Sequence, residues 1–342
     1  MKTLLNIASE DKKHLYIDPA TVTGMYVNPE KKELSLSNEK GRMLWINYEG
    51  YGVDPDVLLE KLATAGNKLV AFPVRYDGGK ESLHYIAPSA VTYATVTEVT
   101  KEGNVGAIIG IKGEGRLESY GTKPEELQTL LDAVKATGKT LLEYKPDEAH
   151  SRWYNAAALY IDPAAVTSIR EDGYQINVYF EASGSLDVQT SRDSAKKSDR
   201  ESELLDQLWE DGKGTKFKTP NEAWAVARKM LEAEESQQRR DFANGIAAAN
   251  GTLTEISPGT RAIHIRPEDF AYITFHDDDK KDVTPGYQYM LILQPQKTPD
   301  NPYAEGVRAY FNTAADRTAA FEALTDSAPK APAAKKPAAL KP

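Results

Sequence analysis

The chain has no cysteine and no long apolar run, and each absence excludes a class of protein. Without a thiol, the 342 residues form no disulfide, no thiolate metal site and no cysteine nucleophile. The N-terminal stretch MKTLLNIASEDKK has too short an apolar run for a signal peptide. No later window has about 18 consecutive apolar residues, as a transmembrane helix requires. We therefore expect a cytoplasmic protein that does not enter a membrane.

The chain also lacks an excess of positive charge. It has 42 basic and 51 acidic residues, for a formal net charge of −9. A negative body opposes general attraction to nucleic acid or anionic lipid, so any polyanion site would have to be local. Apolar residues make up 40% of the chain, which at this length is enough for two or more domains.

A short motif occurs four times. It reads HLYIDPATVTGMYV at 14–27, LHYIAPSAVTYATV at 83–96, ALYIDPAAVTSIRE at 158–171 and, more loosely, AIHIRPEDFAYITF at 262–275. Each copy follows a short apolar strand segment and precedes two segments whose apolar residues alternate, as in a half-buried sheet. A helix signal comes last, with proline or a capping residue at the predicted start.

This order predicts an α+β protein of four tandem β-rich modules, each with about five antiparallel strands closed by one C-terminal helix. The predicted modules are 1–67, 68–138, 139–250 and 251–326. The remaining segment, 327–342, is rich in lysine, alanine and proline and has no acidic residue, which predicts a disordered tail.

The third module is longer than the others because of a highly charged insertion at 192–218. Within it, four apolar residues follow the spacing of a short amphipathic helix. An insertion in one unit of a repeat array often carries the binding function. We therefore predict that these four residues bind a partner: Leu204, Leu205, Leu208 and Trp209.

Two residue types recur at fixed positions of the motif. Asp18 and Asp162 precede the proline, where a carboxylate can accept a backbone N–H one or two residues later, so we predict a turn-forming role. Tyr16, Tyr85 and Tyr160 share another position. An exposed row of tyrosines could stack nucleobases or anchor a protein, but we favour packing beneath a helix.

No set of residues converges on a catalytic or metal site. The five histidines do not fall on equivalent positions, and HDDDKKD at 276–282 lacks the alternating ligands of a calcium loop. The glycine-rich stretch GNVGAIIGIKGEGR at 103–116 lacks the spacing of a phosphate loop, which favours bulges or close backbone approach. We predict no catalytic residues, no metal and no cofactor.

These observations favour a non-enzymatic binding or assembly protein that binds a protein or small ligand at module junctions, with a protein partner or self-assembly ahead of other partners. One alternative is a nucleic-acid-associated protein that uses the tyrosines and the basic tail, as a single-strand binder or a clamp. Another is an enzyme or ligand-sequestering protein with a site between modules. The candidate ligand-binding residues follow the first strands of modules two and three: Arg75, Tyr76, Arg152, Trp153 and Tyr154.

Overall fold

The protein is described from a computed structural model. The described residues are 4–7, 15–41, 44–76, 79–97, 103–145, 156–172, 175–189, 194–210, 217–256, 263–277, 289–295 and 307–327. Contacts divide the chain into two compact units. Unit 1 comprises Met1–Val166 with Asp172–Asn250, and unit 2 comprises Thr167–Glu171 with Gly251–Pro342.

The strands and helices follow the order expected from the motif, and we call the four segments repeats one to four. Repeat one (1–67) contains β1 (Leu5–Asn6), β2 (Tyr16–Ile17), β3 (Val22–Asn28), β4 (Glu33–Asn38), β5 (Leu44–Asn47), α1 (Tyr48–Tyr51) and α2 (Pro55–Thr64). Repeat two (68–138) contains β6 (Val70–Arg75), β7 (Glu81–Ile86), β8 (Val91–Thr97), β9 (Val105–Ile111), β10 (Gly115–Thr122) and α3 (Pro124–Ala136).

The later repeats have the same strand order. Repeat three (139–250) contains β11 (Leu142–Tyr144), β12 (Ala156–Ile161), β13 (Val166–Asp172), β14 (Gln175–Phe180), β15 (Gly184–Gln189), α4 (Ser194–Glu210) and α5 (Pro220–Asn250). Repeat four (251–326) contains β16 (Thr254–Ile256), β17 (Ile263–Ile265), β18 (Phe270–Asp277), β19 (Tyr289–Pro295), β20 (Val307–Phe311) and α6 (Ala314–Ser327), which ends one residue past the predicted boundary. The tail at 328–342 lies outside the described residues.

Local chemistry explains where the helices begin. Asp54 accepts hydrogen bonds from the backbone N–H groups of Asp56 and Val57, and Pro55 occupies the first helical position of α2. At the start of α3, the Glu126 carboxylate accepts from the Lys123 N–H at 2.9 Å. In α6, Thr313 Oγ1 accepts from the Asp316 N–H at 3.1 Å. The predicted helix starts are therefore confirmed.

The prediction of one closing helix per module is only partly correct. Repeat one has the short α1 before α2, and repeat three has α4 before α5. Helix α5 is also long, at 31 residues, and continues to Asn250. Its first half pairs with α4 through Ala227 and Leu231, so the insertion forms a helical hairpin, with a second helix packed along the first.

The sheets do not coincide with the sequence repeats. In unit 1, one antiparallel sheet has the order β5-β4-β3-β7-β6 and another has the order β10-β9-β8-β12-β11. Each therefore combines three strands of one repeat with two strands of the next. In unit 2, segment 167–171 of β13 pairs with β17, β17 pairs with β16, and a separate sheet has the order β18-β19-β20.

The proline of each motif explains this arrangement. It begins a short 3-10 turn at 19–21, 88–90, 163–165 and 267–269, between the second and third strands of each repeat. Proline fixes φ and keeps its predecessor extended, so the chain turns a corner rather than continuing along one strand. In repeats two to four, the first two strands then pair with the preceding repeat, and in every repeat the next three strands begin a new sheet.

Separate apolar cores lie under the helices. Leu58 and Leu62 of α2 pack with Met25, Leu34 and Ile46 in the first core. In the second core, the buried face of α3 meets strands of both hairpins of repeat two; the core includes Phe72, Val74, Ile86, Val91, Ile109, Ile111, Leu127, Leu130, Leu131 and Val134. In unit 2, Ala320 and Leu324 of α6 cover Leu291, Leu293 and Phe311.

Candidate binding surfaces and repeat junctions

One backbone hydrogen bond recurs wherever two repeats meet. The residue before the motif proline donates its N–H to the carbonyl of a threonine in the preceding repeat. The three bonds are Ala87 to Thr23 at 2.9 Å, Asp162 to Thr92 at 2.8 Å and Arg266 to Thr167 at 3.1 Å. The junction thus depends on strand geometry and not on the side chain before the proline, which differs in each case.

The motif aspartates form turns, as predicted. Oδ1 of Asp18 accepts from the Ala20 N–H, and Oδ1 of Asp162 accepts from the Ala164 N–H, each at 3.1 Å. Ala87 and Arg266 occupy the same position without a side-chain bond to the turn. The turn therefore forms without the carboxylate, which adds a local bond where it is present.

A second contribution to three of the corners comes from a residue at the end of a helix or shortly after it. Asn67 donates to the carbonyls of Pro19 and Val22 at 2.6 and 2.8 Å, and Asn250 donates to those of Pro163 and Val166 at 2.5 and 3.1 Å. Just after α3, the Lys139 ammonium donates to the Val91 carbonyl of repeat two at 2.7 Å. Sequence reasoning missed these residues, although all three stand at the end of a helix.

Hairpin tips of successive repeats pack against each other within unit 1. The Gly113 N–H donates to the Ala182 carbonyl at 2.7 Å, and a Cβ on Gly113 would collide with the Asn38 carbonyl. Thr92 and Ser183 share a buried hydroxyl hydrogen bond of 2.8 Å. Close backbone approach, predicted for this glycine-rich stretch, is confirmed at Gly113.

Glu114, next to that glycine, is a largely buried carboxyl. It packs against Gly24 of repeat one, where a side chain would occupy the same space. Burial raises the pKa of Glu114, and a hydrogen bond with Ser37 opposes part of the rise. The carboxyl therefore joins two repeats at an energetic cost when it ionises.

Arg75, a predicted ligand-binding residue, is held by several acceptors. Its guanidinium donates to both carboxylate oxygens of Glu126, at 2.7 and 2.9 Å, to Glu81 at 3.1 Å and to the Gly121 carbonyl at 3.2 Å. These bonds connect β6 to α3 and to the end of β10. The hydrogen bond from Arg75 lowers the pKa of the Glu126 carboxyl. A ligand would have to compete with this bidentate pair.

Of the other four predicted ligand-binding residues, only Tyr76 lies within the described ranges. Tyr76 follows β6 with an exposed side chain, and its hydroxyl accepts from Ser82 at 3.2 Å. Arg152, Trp153 and Tyr154 lie outside the described residues. A ligand site formed by the five residues remains a prediction.

Two of the four predicted partner-binding residues are buried within the helical hairpin. Leu204 and Leu208 of α4 pack against Ala227 and Leu231 of α5, and Leu205 is partly buried beside them. Trp209 is about half exposed, at 48%. A partner could therefore reach the tryptophan without opening the hairpin, whereas the two buried leucines stabilise the hairpin itself.

A cavity of about 360 Å³ lies between the two helices of this hairpin. The lining residues are Ser198, Glu201, Asn221, Trp224, Ala225 and Arg228. Nε of Arg228 is 3.6 Å from the Glu201 carboxylate across the cavity. Its lining is mainly polar, with Trp224 as the one large aromatic group, so it suits a polar side chain better than an apolar one.

The motif tyrosines have different environments. Tyr85 packs against the first core and Tyr160 against the second, so the packing prediction is confirmed for these two residues. Tyr16 is 53% exposed. A continuous aromatic platform of all three residues, which the nucleic-acid alternative used, is therefore not formed.

Histidines and acidic groups in the described part of the chain do not form a metal site. No group of three or more potential ligands occurs there. His84 stacks against Tyr26 with ring centroids 4.9 Å apart, and burial lowers its pKa to about 4. Burial also lowers the pKa of His264. Both imidazoles are neutral packing groups at neutral pH.

Comparisons with protein-family models, curated proteins and solved structures give no match. Among the helices in the described ranges, none has both the length and the apolar character needed to cross a membrane.

Proposed function

We propose that this chain is a non-enzymatic assembly protein whose four repeats act as tandem α+β modules and whose binding partner is a protein. The observation that carries this proposal is the sharing of strands between neighbouring repeats. Each junction uses the same backbone bond with different side chains, which is the property of a scaffold that extends by repetition.

The polar groups most suited to chemistry support this proposal because they already have structural partners. Asp18 and Asp162 cap turns, Arg75 is paired with Glu126, and His84 lies stacked in the sheet. An active site normally leaves such groups directed at a pocket in which substrate can bind. None of these four residues lines the cavity between α4 and α5.

The α4–α5 hairpin is the element that distinguishes repeat three. Its outer face presents Trp209, an aromatic anchor of the kind that dominates protein interfaces. The exposed carboxylates of α4 recur at i, i+4, i+7 and i+11 on one face: Asp199, Glu203, Asp206 and Glu210. A partner segment with an apolar side chain and flanking basic residues would complement this face in shape and charge.

Native mass spectrometry of the purified protein tests the proposed function. We expect only the mass of the polypeptide, multiples of it, or its complex with another polypeptide. A stoichiometric nucleotide, cofactor, metal or nucleic acid would contradict the proposal and favour one of the alternatives.

The contribution of the hairpin is tested by Trp209→Ala. That change should weaken a detected protein complex without lowering the melting temperature, whereas Trp45→Ala, at an equally exposed tryptophan of repeat one, should leave the complex intact.

A further inference from the structure

The internal junctions share one strand pairing. The third strand of a repeat pairs antiparallel with the second strand of the next repeat, as β3 with β7, β8 with β12 and β13 with β17. The register is also the same, because equivalent motif positions face each other. The pairs are Met25 with Tyr85, Ala94 with Tyr160 and Ile169 with His264.

The first and last repeats each retain one half of this junction. Strand β2 is the second strand of repeat one, and among the described strands it is paired only with β1. Strand β18 is the third strand of repeat four, and within the described strands it is paired only with β19. The two edges that pair at every internal junction therefore occur once more, and in the described part of the chain neither lies beside its counterpart strand.

At the β18 edge, one strand residue is less buried than the equivalent residues at the internal junctions, as expected if a neighbouring strand is missing there. Met25, Ala94 and Ile169 are at most 1% exposed where a second strand lies beside them. Ile273, the equivalent residue of β18, is only partly buried. The adjacent strand is thus what completes the burial of this position.

The β2 edge shows the same difference. Ile86, Ile161 and Ile265 are at most 2% exposed, whereas Ile17, at the same motif position, is only partly buried. Tyr16 is 53% exposed, whereas its counterparts Tyr85 and Tyr160 pack against cores. Apolar surface that is buried at every internal junction thus remains accessible at this end.

The β1–β2 hairpin is nevertheless held in place. Ile7 is buried in the first core, and Leu5, Leu15 and Ile17 pack against that core. In repeat two, Phe72 and Val74 fix the β6–β7 hairpin to the second core in the same manner. The β2 edge is therefore prearranged for pairing, so a partner strand would not have to order it.

We infer that copies of this chain assemble head to tail, with β2 of one copy adding to β18 of the next and forming the same junction that connects the repeats within the chain. This inference rests on the proposed assembly function and names a second copy as the partner. The internal register places Tyr16 of one copy opposite Ile273 of the other. Strand addition supplies main-chain hydrogen bonds, and the two ends supply apolar surface.

Such an interface is heterologous, because it joins two different surfaces, and it therefore generates open chains or closed rings. Two copies joined by a single such contact are not related by symmetry, because each contributes a different edge. Because the interface joins two different edges, each edge can be blocked separately, which makes the inference testable.

The N-terminal edge is blocked by Tyr16→Pro. The Asp162 amide points toward the preceding repeat, and alternate residues of a strand direct their N–H groups to the same side, so the equivalent geometry directs the Tyr16 amide away from β1. Proline removes this donor, while Tyr16→Thr keeps it and removes only the aromatic ring. In sedimentation velocity over a wide concentration range, we expect concentration-dependent assembly of the original chain, weaker assembly of Tyr16→Thr and a monomer for Tyr16→Pro.

The opposite edge is blocked by Ile273→Pro, whose missing N–H lies on the side of β18 away from β19 by the same alternation. We expect this variant alone to be monomeric. An equimolar mixture of Tyr16→Pro and Ile273→Pro should form a dimer of twice the monomer mass and nothing larger, because each variant retains one intact edge. If circular dichroism shows that either proline variant is unfolded, Tyr16→Lys or Ile273→Lys replaces it, since an edge lysine disfavours pairing.

A monomeric original chain would overturn the inference, and so would assembly that persists unchanged in both blocked variants or a mixture that remains monomeric. If the original chain is monomeric and native mass spectrometry shows no small ligand, only the head-to-tail inference fails, and a different protein remains the partner. A stoichiometric cofactor or nucleic acid would instead refute the proposed function.

Discussion

The Lys139 ammonium lies 2.7 Å from Oδ2 of Asp162, and both residues belong to repeat three. The Asp162 side chain is 7% exposed and that of Lys139 is 19% exposed, so both charges are largely removed from water. Oδ1 of the same carboxylate caps the turn. The Asp162 carboxylate thus forms a corner and also holds Lys139, whose ammonium donates to the Val91 carbonyl of repeat two.

This relationship predicts that equivalent motif aspartates contribute unequally to stability. Asp18→Ala should lower the free energy of unfolding by about 1 kcal/mol, the value of one local hydrogen bond. Asp162→Ala should lower it by about 3 kcal/mol, because it also leaves the Lys139 ammonium without its carboxylate in a poorly hydrated site. Urea denaturation of both variants measures the difference. Equal losses would show that the ion pair contributes nothing beyond the turn.

Gly113 and Gly115 allow a matched test of hairpin-tip packing. Both have positive φ, at 79° and 85°, so alanine is strained at either position by about 1 to 2 kcal/mol. Only at Gly113 would the added Cβ meet the Asn38 backbone; at Gly115 it meets no atom within 4 Å. We expect Gly113→Ala to lower the free energy of unfolding by at least about 2 kcal/mol more than Gly115→Ala. Similar losses in chemical denaturation would mean that the tips separate without cost.

The order of strands and helices could be predicted from the sequence because it depends on local chemistry. Apolar alternation identifies strands such as β4, and Asp54 with Pro55 marks the start of α2. The repetition of the motif strengthens each assignment. The Asp18 turn was predictable for the same reason, since donor and acceptor are two residues apart.

Strand partners could not be predicted in this way. Alternation shows which residues share a face of a sheet, but it does not show which edge lies beside which strand. The pairing of β3 with β7 places Met25 opposite Tyr85, two residues far apart in the sequence. The bond from Asn250 to Pro163 spans 87 residues and has no local signature. The same holds for Arg75, whose pairing with Glu126 depends on how α3 packs against β6.

His84 predicts a loss of stability in acid. Its folded pKa of about 4 lies below its ordinary value of 6.5, so its contribution is complete above pH 6.5 and is lost as the pH falls toward 4. Within the described residues, its Nε2 has no hydrogen-bond partner that would stabilise the charged ring. The loss should reach about 3 kcal/mol, since each pKa unit corresponds to about 1.4 kcal/mol.

The measurement is the free energy of unfolding of the original chain and of His84→Leu between pH 7 and pH 4. The variant should have a shallower slope over this range. The pKa of His264 is also lowered, so its protonation destabilises the fold in acid in the same way. The free energy of unfolding of His84→Leu should therefore still fall somewhat as the pH is lowered. The His84→Leu, His264→Leu double variant should therefore be flatter still. An unchanged slope in His84→Leu would show that this ring is protonated without cost.

Glu114 predicts the opposite dependence on pH. Its folded pKa is raised above its ordinary value of 4.5, so the folded state binds a proton more tightly than the unfolded chain does. Stability from this group is therefore complete below pH 4.5 and is lost as the pH rises through the folded pKa. Glu114→Gln keeps the shape and the polar contact to Ser37 but cannot ionise. The variant should be more stable than the original chain at pH 7, and the difference should shrink toward pH 4.

Thermal unfolding at several pH values measures this difference in stability. The control is Glu39→Gln, at an exposed carboxylate on the neighbouring hairpin tip, which should show no such gain. A loss of stability at pH 7 in Glu114→Gln would mean that the ionised carboxylate is itself a favourable link between repeats one and two.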